Sequence, residues 1–393
     1  MPIIFLPGIQ GSKLIDTYPL DFRMRWSLED MVIGNVFEDS LDFLLKDGRY
    51  DAAPEHLFRE WELMRAAYGA MVERLRAWVD RALYVFPYDW RQPLEVAARR
   101  LNELIDHVRG KLAGPDGPPR VSFVTHSAGG LVLRSALGLR RPDPWADVER
   151  IVFIGPPFRG AGDVPRVLIA GERNGWFSDR EEYRKLARTF PSVYQLVPDF
   201  PGAAVDERGR DLDLFEATSW QRNVVAGEGG FSSRFLADAE AFRHGRRARH
   251  GGASEAPMLP DAAMRQVADR VLVLCGSGEP TVIRVPVQTA NQRNPNWFEL
   301  DREEMTLLGD GRVPLVSSAV PGVTLAAYEG VGAHSRLCLH ERIIDSTAMW
   351  LQGRRLVRMR PRRAIHSVER PSRSYFETWN GDPAALDRHI VAD

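Results

Sequence analysis

Short apolar runs alternate with amphipathic helical patterns in two separate parts of the chain. The apolar runs predict strands over residues 3–6, 83–86, 121–124, 151–154, 270–275 and 324–328. Apolar residues at helical spacing predict helices over residues 68–82, 96–112, 131–137 and 336–351. Because strands and helices alternate, the sequence predicts an α/β protein with a mostly parallel central sheet and helices on both of its faces.

This alternation stops between residues 161 and 266. Glycine, proline and charged residues are dense there, and only short helical pieces are predicted, over 180–187 and 234–242. An insertion of this size between strand–helix units is typical of a cap over an active site. We therefore predict a core of residues 1–160 and 267–352, a largely helical cap or lid of residues 161–266, and an arginine-rich C-terminal extension of residues 353–393.

The composition excludes several classes of function. The chain has 393 residues, 44% of them hydrophobic, and a formal net charge of −1, so we expect no nucleic acid partner. Two cysteines at unrelated positions predict neither a disulfide framework nor a metal site. No secretory signal and no apolar run of about 18 residues is visible, which favours a cytoplasmic location. Arginines at 246–249 and 354–373 leave peripheral contact with an anionic membrane open, although solvated segments are the commoner explanation.

The strongest candidate for chemistry lies between a predicted strand and a predicted helix. The chain there reads Thr125-His126-Ser127-Ala128-Gly129. A serine on a tight strand-to-helix turn is the nucleophile elbow of the α/β-hydrolases, G-x-S-x-G, with Thr125 in place of the first glycine. The alternative is a loop rich in serine and glycine that has no chemical role.

A serine nucleophile needs a base to take its proton and an anion to orient that base. In α/β-hydrolases these three residues follow the chain order serine, acid, histidine. Asp310 on a Gly-Asp-Gly turn and His334 on a loop after the last strand follow Ser127 in this order. A buried Asp310 without a catalytic role is the alternative. The other candidates for the base are less well placed, because His126 is directly beside the serine and His107 and His340 lie inside predicted helices. The other candidates for the acid, Asp301 and Asp345, are also less well placed than Asp310.

Two further loops are predicted to shape the site. The first strand ends at a glycine-rich turn that contains Gly8, Ile9 and Gln10, and such a turn presents backbone N–H groups. We predict the N–H groups of Gln10 and Ala128 as the oxyanion hole, unless the turn is an ordinary strand end. His126 beside the serine joins Gly8 and Ile9 as a predicted loop-shaping residue. The second loop contains Asp89, Trp90 and Arg91, which are predicted to fix its conformation rather than to take part in catalysis.

With these positions assigned, the chain resembles the lecithin:cholesterol acyltransferase-like branch of the α/β-hydrolases. The matching motifs run in family order from residue 2 to about residue 350: residues 2–14, P-Y-D-W-R at 87–91, H-S-A-G-G at 126–130, G-S-G-E-P-T at 276–281, G-D-G-R-V-P at 309–314, and His334. The chain departs from the family pattern at Thr125, at Arg312 where the family has a threonine or serine, and in lacking the paired lid cysteines.

The resemblance implies a catalytic triad of Ser127, Asp310 and His334 and oxyanion donors at Gln10 and Ala128. It implies a serine hydrolase of lipase or phospholipase type that acts on lipid esters, with acyl transfer to a second alcohol as a variant, and no cofactor or metal. Two alternatives stay open: an inactive α/β-hydrolase fold that binds lipid or a partner, and a thioesterase or amidase with the same triad.

Overall fold

The structure is a computed structural model, and it describes residues 1–18, 23–26, 40–78, 82–172, 180–227, 230–245, 252, 254, 256–290, 295–354 and 374–378. The predictions for the arginines at 246–249 and for most of the C-terminal extension fall outside these residues.

The strands are β1 (Ile3–Leu6), β2 (Ser12–Asp16), β3 (Arg23–Trp26), β4 (Leu45–Lys46), β5 (Tyr50–Asp51), β6 (Phe58–Leu63), β7 (Leu83–Val85), β8 (Val121–His126), β9 (Val148–Ile154), β10 (Ala204–Asp206), β11 (Val271–Ser277), β12 (Thr281–Gln288), β13 (Trp297–Phe298), β14 (Glu304–Thr306), β15 (Thr324–Glu329) and β16 (Ser374–Thr378). The α-helices are α1 (Arg65–Trp78), α2 (Leu94–Lys111), α3 (Gly129–Leu139), α4 (Val164–Ala170), α5 (Arg180–Thr189), α6 (Pro191–Tyr194), α7 (Arg222–Val225), α8 (Ser233–His244), α9 (Asp261–Arg265), α10 (Leu315–Ser318) and α11 (Glu341–Leu351).

The central sheet of the described residues has seven strands in the order β16-β15-β11-β9-β8-β1-β7. All neighbours pair in parallel except β16, which adds an antiparallel edge to β15. Every residue of β1 and β8 is buried, as expected for strands covered on both faces. The predicted mostly parallel sheet is confirmed. Parallel strands bring the loops at their carboxyl ends to one edge, and this edge holds the candidate site.

The region predicted as a cap contains six α-helices among its described residues, α4 to α9, together with the short strand β10. This strand pairs with β12, and β12 also pairs with β13 and β14 in a second sheet. A strand of three residues is too short for alternation to reveal it in the sequence, and its partners lie outside residues 161–266. The division into core and cap stays a prediction.

The sequence places His340 inside the last helix, and this is wrong. A 3₁₀-helix over His334–Leu339 comes first, and His340 then caps α11, where its Nδ1 accepts a hydrogen bond of 3.2 Å from the N–H of Arg342. The spacing of apolar residues does not distinguish one continuous helix from two that meet at a cap. No helix within the described residues is both long enough and apolar enough to cross a bilayer.

Candidate active site

Ser127 lies at the carboxyl end of β8, immediately before α3. Its φ is +52°, in the left-handed region that residues other than glycine seldom adopt. The N–H of Ser127 donates to the carbonyl of Ile154 at 2.9 Å, which ties the turn to the neighbouring strand β9. The chain therefore holds the serine on the strained turn expected of a nucleophile elbow.

Two glycines allow the loop after β1 to approach this turn. A Cβ atom at Gly129 would lie 2.5 Å from the carbonyl oxygen of Pro7, and one at Gly8 would lie 2.7 Å from the Cβ of Ser127. Backbone atoms cannot move aside as a flexible side chain can. The approach of the predicted oxyanion loop to the serine therefore depends on these two glycines.

Thr125 is accommodated at a buried position beside the first turn of α3. Thr125 is fully buried, and a Cβ atom at Gly130 would lie 3.4 Å from the Thr125 Oγ1 and 3.1 Å from the ring of Phe153. The first of these distances is an ordinary contact, so Thr125 does not prevent α3 from packing against β8 although the first elbow glycine is missing. Within the described part of the chain, the Thr125 hydroxyl has no hydrogen-bond partner.

Replacing Thr125 with valine is therefore expected to raise the free energy of unfolding by about 1 kcal/mol, because a methyl group replaces a buried hydroxyl without a partner. Urea unfolding of both proteins measures the change. Gly130→Ala is a packing control, since its methyl group would lie 3.1 Å from Phe153 and 3.2 Å from Pro156. A clear loss of stability in Thr125→Val would mean that the hydroxyl has a partner after all.

Asp310 and His334 form a buried pair. The Nδ1 of His334 lies 2.7 Å from the Oδ2 of Asp310, whose side chain is 1% exposed. The other carboxylate oxygen, Oδ1, accepts the N–H groups of Arg312 at 3.2 Å and Val313 at 2.8 Å. A Cβ atom at Gly155 would lie 3.1 Å from both Asp310 and His334, so this glycine makes room for the pair. The structure thus brings together the predicted acid and base.

Ser127, Asp310 and His334 line one cavity of about 470 Å³. Its apolar lining residues include Ile9, Met64, Val164, Val167, Val193 and Leu196. Its polar lining residues include Gln10, Asp163, Tyr183 and Arg312. Since four of the apolar residues come from the predicted cap, the cavity is built where the predicted cap meets the predicted core.

The predicted oxyanion donors are the residue that follows the serine and a residue that lines the same cavity. Ala128 is buried and precedes α3, so its N–H belongs to the N-terminal turn of that helix. Gln10 has a φ of +61° and lines the cavity, and its side chain hydrogen-bonds to Tyr183. Burial raises the pKa of Tyr183 to about 12, so this phenol stays neutral.

Arg312 replaces the small residue of the family pattern, and its side chain is directed away from Asp310. Its guanidinium pairs with Asp163 and, at 2.6 Å, with Glu172. These two carboxylates raise the pKa of Arg312 despite its burial, with Asp163 as the largest cause. The substitution therefore joins the turn that carries Asp310 to the predicted cap and leaves the Asp310–His334 pair intact.

The loop-shaping group at 89–91 packs beside the site and not in it. Arg91 is 1% exposed and pairs with Asp89 and Asp51, each at 2.8 Å, and the indole N–H of Trp90 donates to the carbonyl of Ser12 at 3.1 Å. None of Asp89, Trp90 and Arg91 is among the described residues that line the cavity. These contacts connect the strand β2 to the loop after β7, which fits the prediction of a loop-fixing group.

His126 and Tyr68 are in contact, and the sequence indicates only His126 as a residue of the site. The Nδ1 of His126 lies 3.0 Å from the phenolic oxygen of Tyr68, and its Nε2 lies 3.0 Å from the carbonyl oxygen of His334. Tyr68 lines the cavity but was not predicted as a site residue. Its position in an amphipathic helix gave the sequence no signal that distinguishes it from a core residue.

This architecture, with a strained serine at the end of a central parallel strand, is that of the α/β-hydrolase fold. A chain in the crystal structure of the Tle4–Tli4 complex has the same fold, with a TM-score of 0.53 at 14% sequence identity, over 89% of this chain and 98% of that chain.

Residues 65–224 match the family model of lecithin:cholesterol acyltransferase. Lecithin-cholesterol acyltransferase-like 4 of Arabidopsis thaliana is 31% identical over 127 residues, which are 30% of this chain and 23% of that protein. An uncharacterized protein of Saccharomyces cerevisiae is 24% identical over 166 residues, which are 39% of this chain and 23% of that protein. The resemblance to the lecithin:cholesterol acyltransferase-like family is confirmed, and the family model matches residues 65–224. The chain thus spans under a quarter of the length of these curated relatives. The matched segment contains Ser127, while Asp310 and His334 lie beyond it.

Proposed function

We propose that the protein is a serine hydrolase that cleaves carboxylic esters of lipids through Ser127, His334 and Asp310. One observation carries the proposal: the buried Asp310–His334 pair and the strained Ser127 line the same cavity. The family match supports lipid ester hydrolysis or acyl transfer as the class of reaction. The roles of the three residues are inferred from their geometry and chemistry.

In the proposed mechanism, the Oγ of Ser127 attacks the ester carbonyl while the Nε2 of His334 takes its proton. Asp310 holds the Nδ1–H of His334 and stabilises the imidazolium that forms. The N–H groups of Gln10 and Ala128 bind the oxyanion. When it collapses, the ester C–O bond breaks, His334 returns the proton to the leaving alcohol, and the acyl group stays on the Oγ of Ser127. Water activated by His334 then releases the acid and restores the Ser127 hydroxyl.

The apolar residues that line the cavity support the proposal that an acyl chain is the part of the substrate that enters it. Val164, Val167, Val193 and Leu196 come from α4 and from the α6 region of the predicted cap. Each methylene group of a substrate that is buried against such residues contributes about 0.8 kcal/mol of favourable binding free energy. We propose hydrolysis as the main reaction. Acyl transfer to a second alcohol is the variant that would need water to be excluded by the cap.

The test combines a covalent probe with a set of substrates. We expect a fluorophosphonate to label the wild-type protein and not Ser127→Ala, and we expect Ser335→Ala, which changes another serine of the cavity wall, to keep the label. Turnover of a short ester, a long-chain ester, a phospholipid and an acyl thioester then defines the substrate. Labelling that is absent or independent of Ser127 in the folded protein would favour a non-catalytic lipid-binding fold. Preference for the thioester would favour the thioesterase alternative.

A further inference from the structure

We infer that Tyr68 is a positioning residue that, together with His126, connects the oxyanion loop to the loop of the catalytic base. The inference rests on the proposed function, since it assigns the two residues to the same reaction. It adds a residue that neither the sequence motifs nor the triad chemistry indicate.

The phenolic oxygen of Tyr68 makes two hydrogen bonds with defined directions. The N–H of Gly8 donates to this oxygen at 3.0 Å, so the phenol is the acceptor there. Its own hydrogen is then left for the Nδ1 of His126, which lies at 3.0 Å. A Cβ atom at Gly11 would lie 2.6 Å from the phenolic oxygen, so a glycine is required where the tyrosine reaches into the loop.

These bonds determine the tautomer of His126. Because Nδ1 accepts from Tyr68, the single proton of the neutral ring is on Nε2, which donates to the backbone carbonyl of His334 at 3.0 Å. The N–H of His334 in turn donates to the carbonyl of Asp310 at 2.7 Å. The N–H of His334 is therefore fixed by the turn that carries Asp310, and the carbonyl of His334 is fixed by His126.

A neutral His126 also suits the electrostatics of the reaction. Burial lowers the pKa of His126 well below its usual range, and the nearby His334 lowers it further. The two imidazole rings lie 4.8 Å apart between centroids. A charged His126 would oppose the imidazolium that His334 becomes during attack, and it could no longer accept the hydrogen of Tyr68.

The consequence is that one hydroxyl group sets the relative positions of two parts of the site. Gly8 lies two residues before the predicted donor Gln10, and the Cβ position of Gly8 is 2.7 Å from that of Ser127. Small displacements of an oxyanion donor or a base reduce the rate of the chemical step far more than they reduce substrate binding. Loss of the hydroxyl should therefore lower kcat and leave KM nearly unchanged.

The test is Tyr68→Phe, which removes only the hydroxyl and keeps the ring that packs edge-on against Phe5 and His126. We expect kcat on a long-chain ester, and the rate of fluorophosphonate inactivation, to fall by about 10- to 100-fold, with KM within about twofold of the wild-type value. The matched control is Tyr194→Phe. The Tyr194 hydroxyl likewise accepts a backbone N–H, from Ser232 at 3.0 Å, and donates to a carbonyl, of Arg188 at 3.1 Å.

A double-mutant cycle with His126→Gln tests whether the two residues act as one unit. We expect the double variant to lose no more activity than the worse of the two single variants, because each breaks the same connection. Equal kcat values for Tyr68→Phe and Tyr194→Phe, a loss confined to KM, or additive losses in the cycle would overturn the inference alone. If the wild-type protein has no turnover that depends on Ser127, the proposed function fails and the inference fails with it.

Discussion

If Asp310 has the proposed role, replacing it with asparagine is expected to lower kcat/KM by about 10⁴-fold while the protein stays folded, as the equivalent change does in a serine protease triad. The reason lies in how the side chain is held. The Oδ1 of Asp310 accepts two backbone N–H groups, those of Arg312 and Val313, so an asparagine must place its carbonyl oxygen there. Its NH₂ group then faces the Nδ1 of His334, where Asp310 has an oxygen at 2.7 Å.

This arrangement would fix His334 in the wrong tautomer. With an NH₂ group as its neighbour, Nδ1 becomes an acceptor and the proton of the ring moves to Nε2. An Nε2 that already carries a proton cannot accept one from the hydroxyl of Ser127. The change thus removes the base by exchanging one carboxylate oxygen for an NH₂ group of nearly the same size.

The measurement is kcat/KM on a long-chain ester, with thermal unfolding as the check that the variant is folded. Asp345→Asn is the matched control, because it makes the same chemical change at an acid beyond the described cavity wall and should leave activity unchanged. If Asp310→Asn kept more than about a tenth of the activity, Asp310 would have a structural role only.

Much of the fold was predictable because the central strands are buried on both faces. Such strands are continuous apolar runs, and β1 occupies the residues that the pattern predicts. The loops at the carboxyl ends of parallel strands meet at one edge, so the chain order Ser127, Asp310, His334 was enough to predict that these residues lie together. The 2.7 Å contact of the last two agrees with that prediction.

Other features could not be predicted, because they depend on contacts between distant residues that leave no local pattern. Tyr68 meets His126 across 58 positions of the chain, and it has the helical spacing of any core residue. In the sequence, Arg312 is only a departure from the family motif. Its role becomes clear from its partners Asp163 and Glu172, which are about 140 to 150 positions away in the chain. The room for the buried Thr125 side chain likewise depends on how α3 packs against β8.

Replacing Arg91 with methionine is expected to lower the free energy of unfolding by about 3–5 kcal/mol. The side chains of Asp51 and Asp89 are 6% and 8% exposed, and Arg91 is their common partner at 2.8 Å. Burial alone would lower the pKa of Arg91, and these two carboxylates raise it instead. Methionine fills the volume but leaves two carboxylates that are buried with no cation between them.

Urea unfolding of Arg91→Met measures the effect, and Arg284→Met is the matched control. Arg284 pairs with Glu304 at the same distance of 2.8 Å, but both side chains are more than 40% exposed, so its loss should cost no more than about 1 kcal/mol. The difference between the two variants isolates the effect of burial, because the chemical change is identical. If Arg91→Met cost as little as Arg284→Met, the group at 89–91 would not be the loop-fixing element that its contacts indicate. A role at the substrate would then have to be tested, by measuring KM in the same variant.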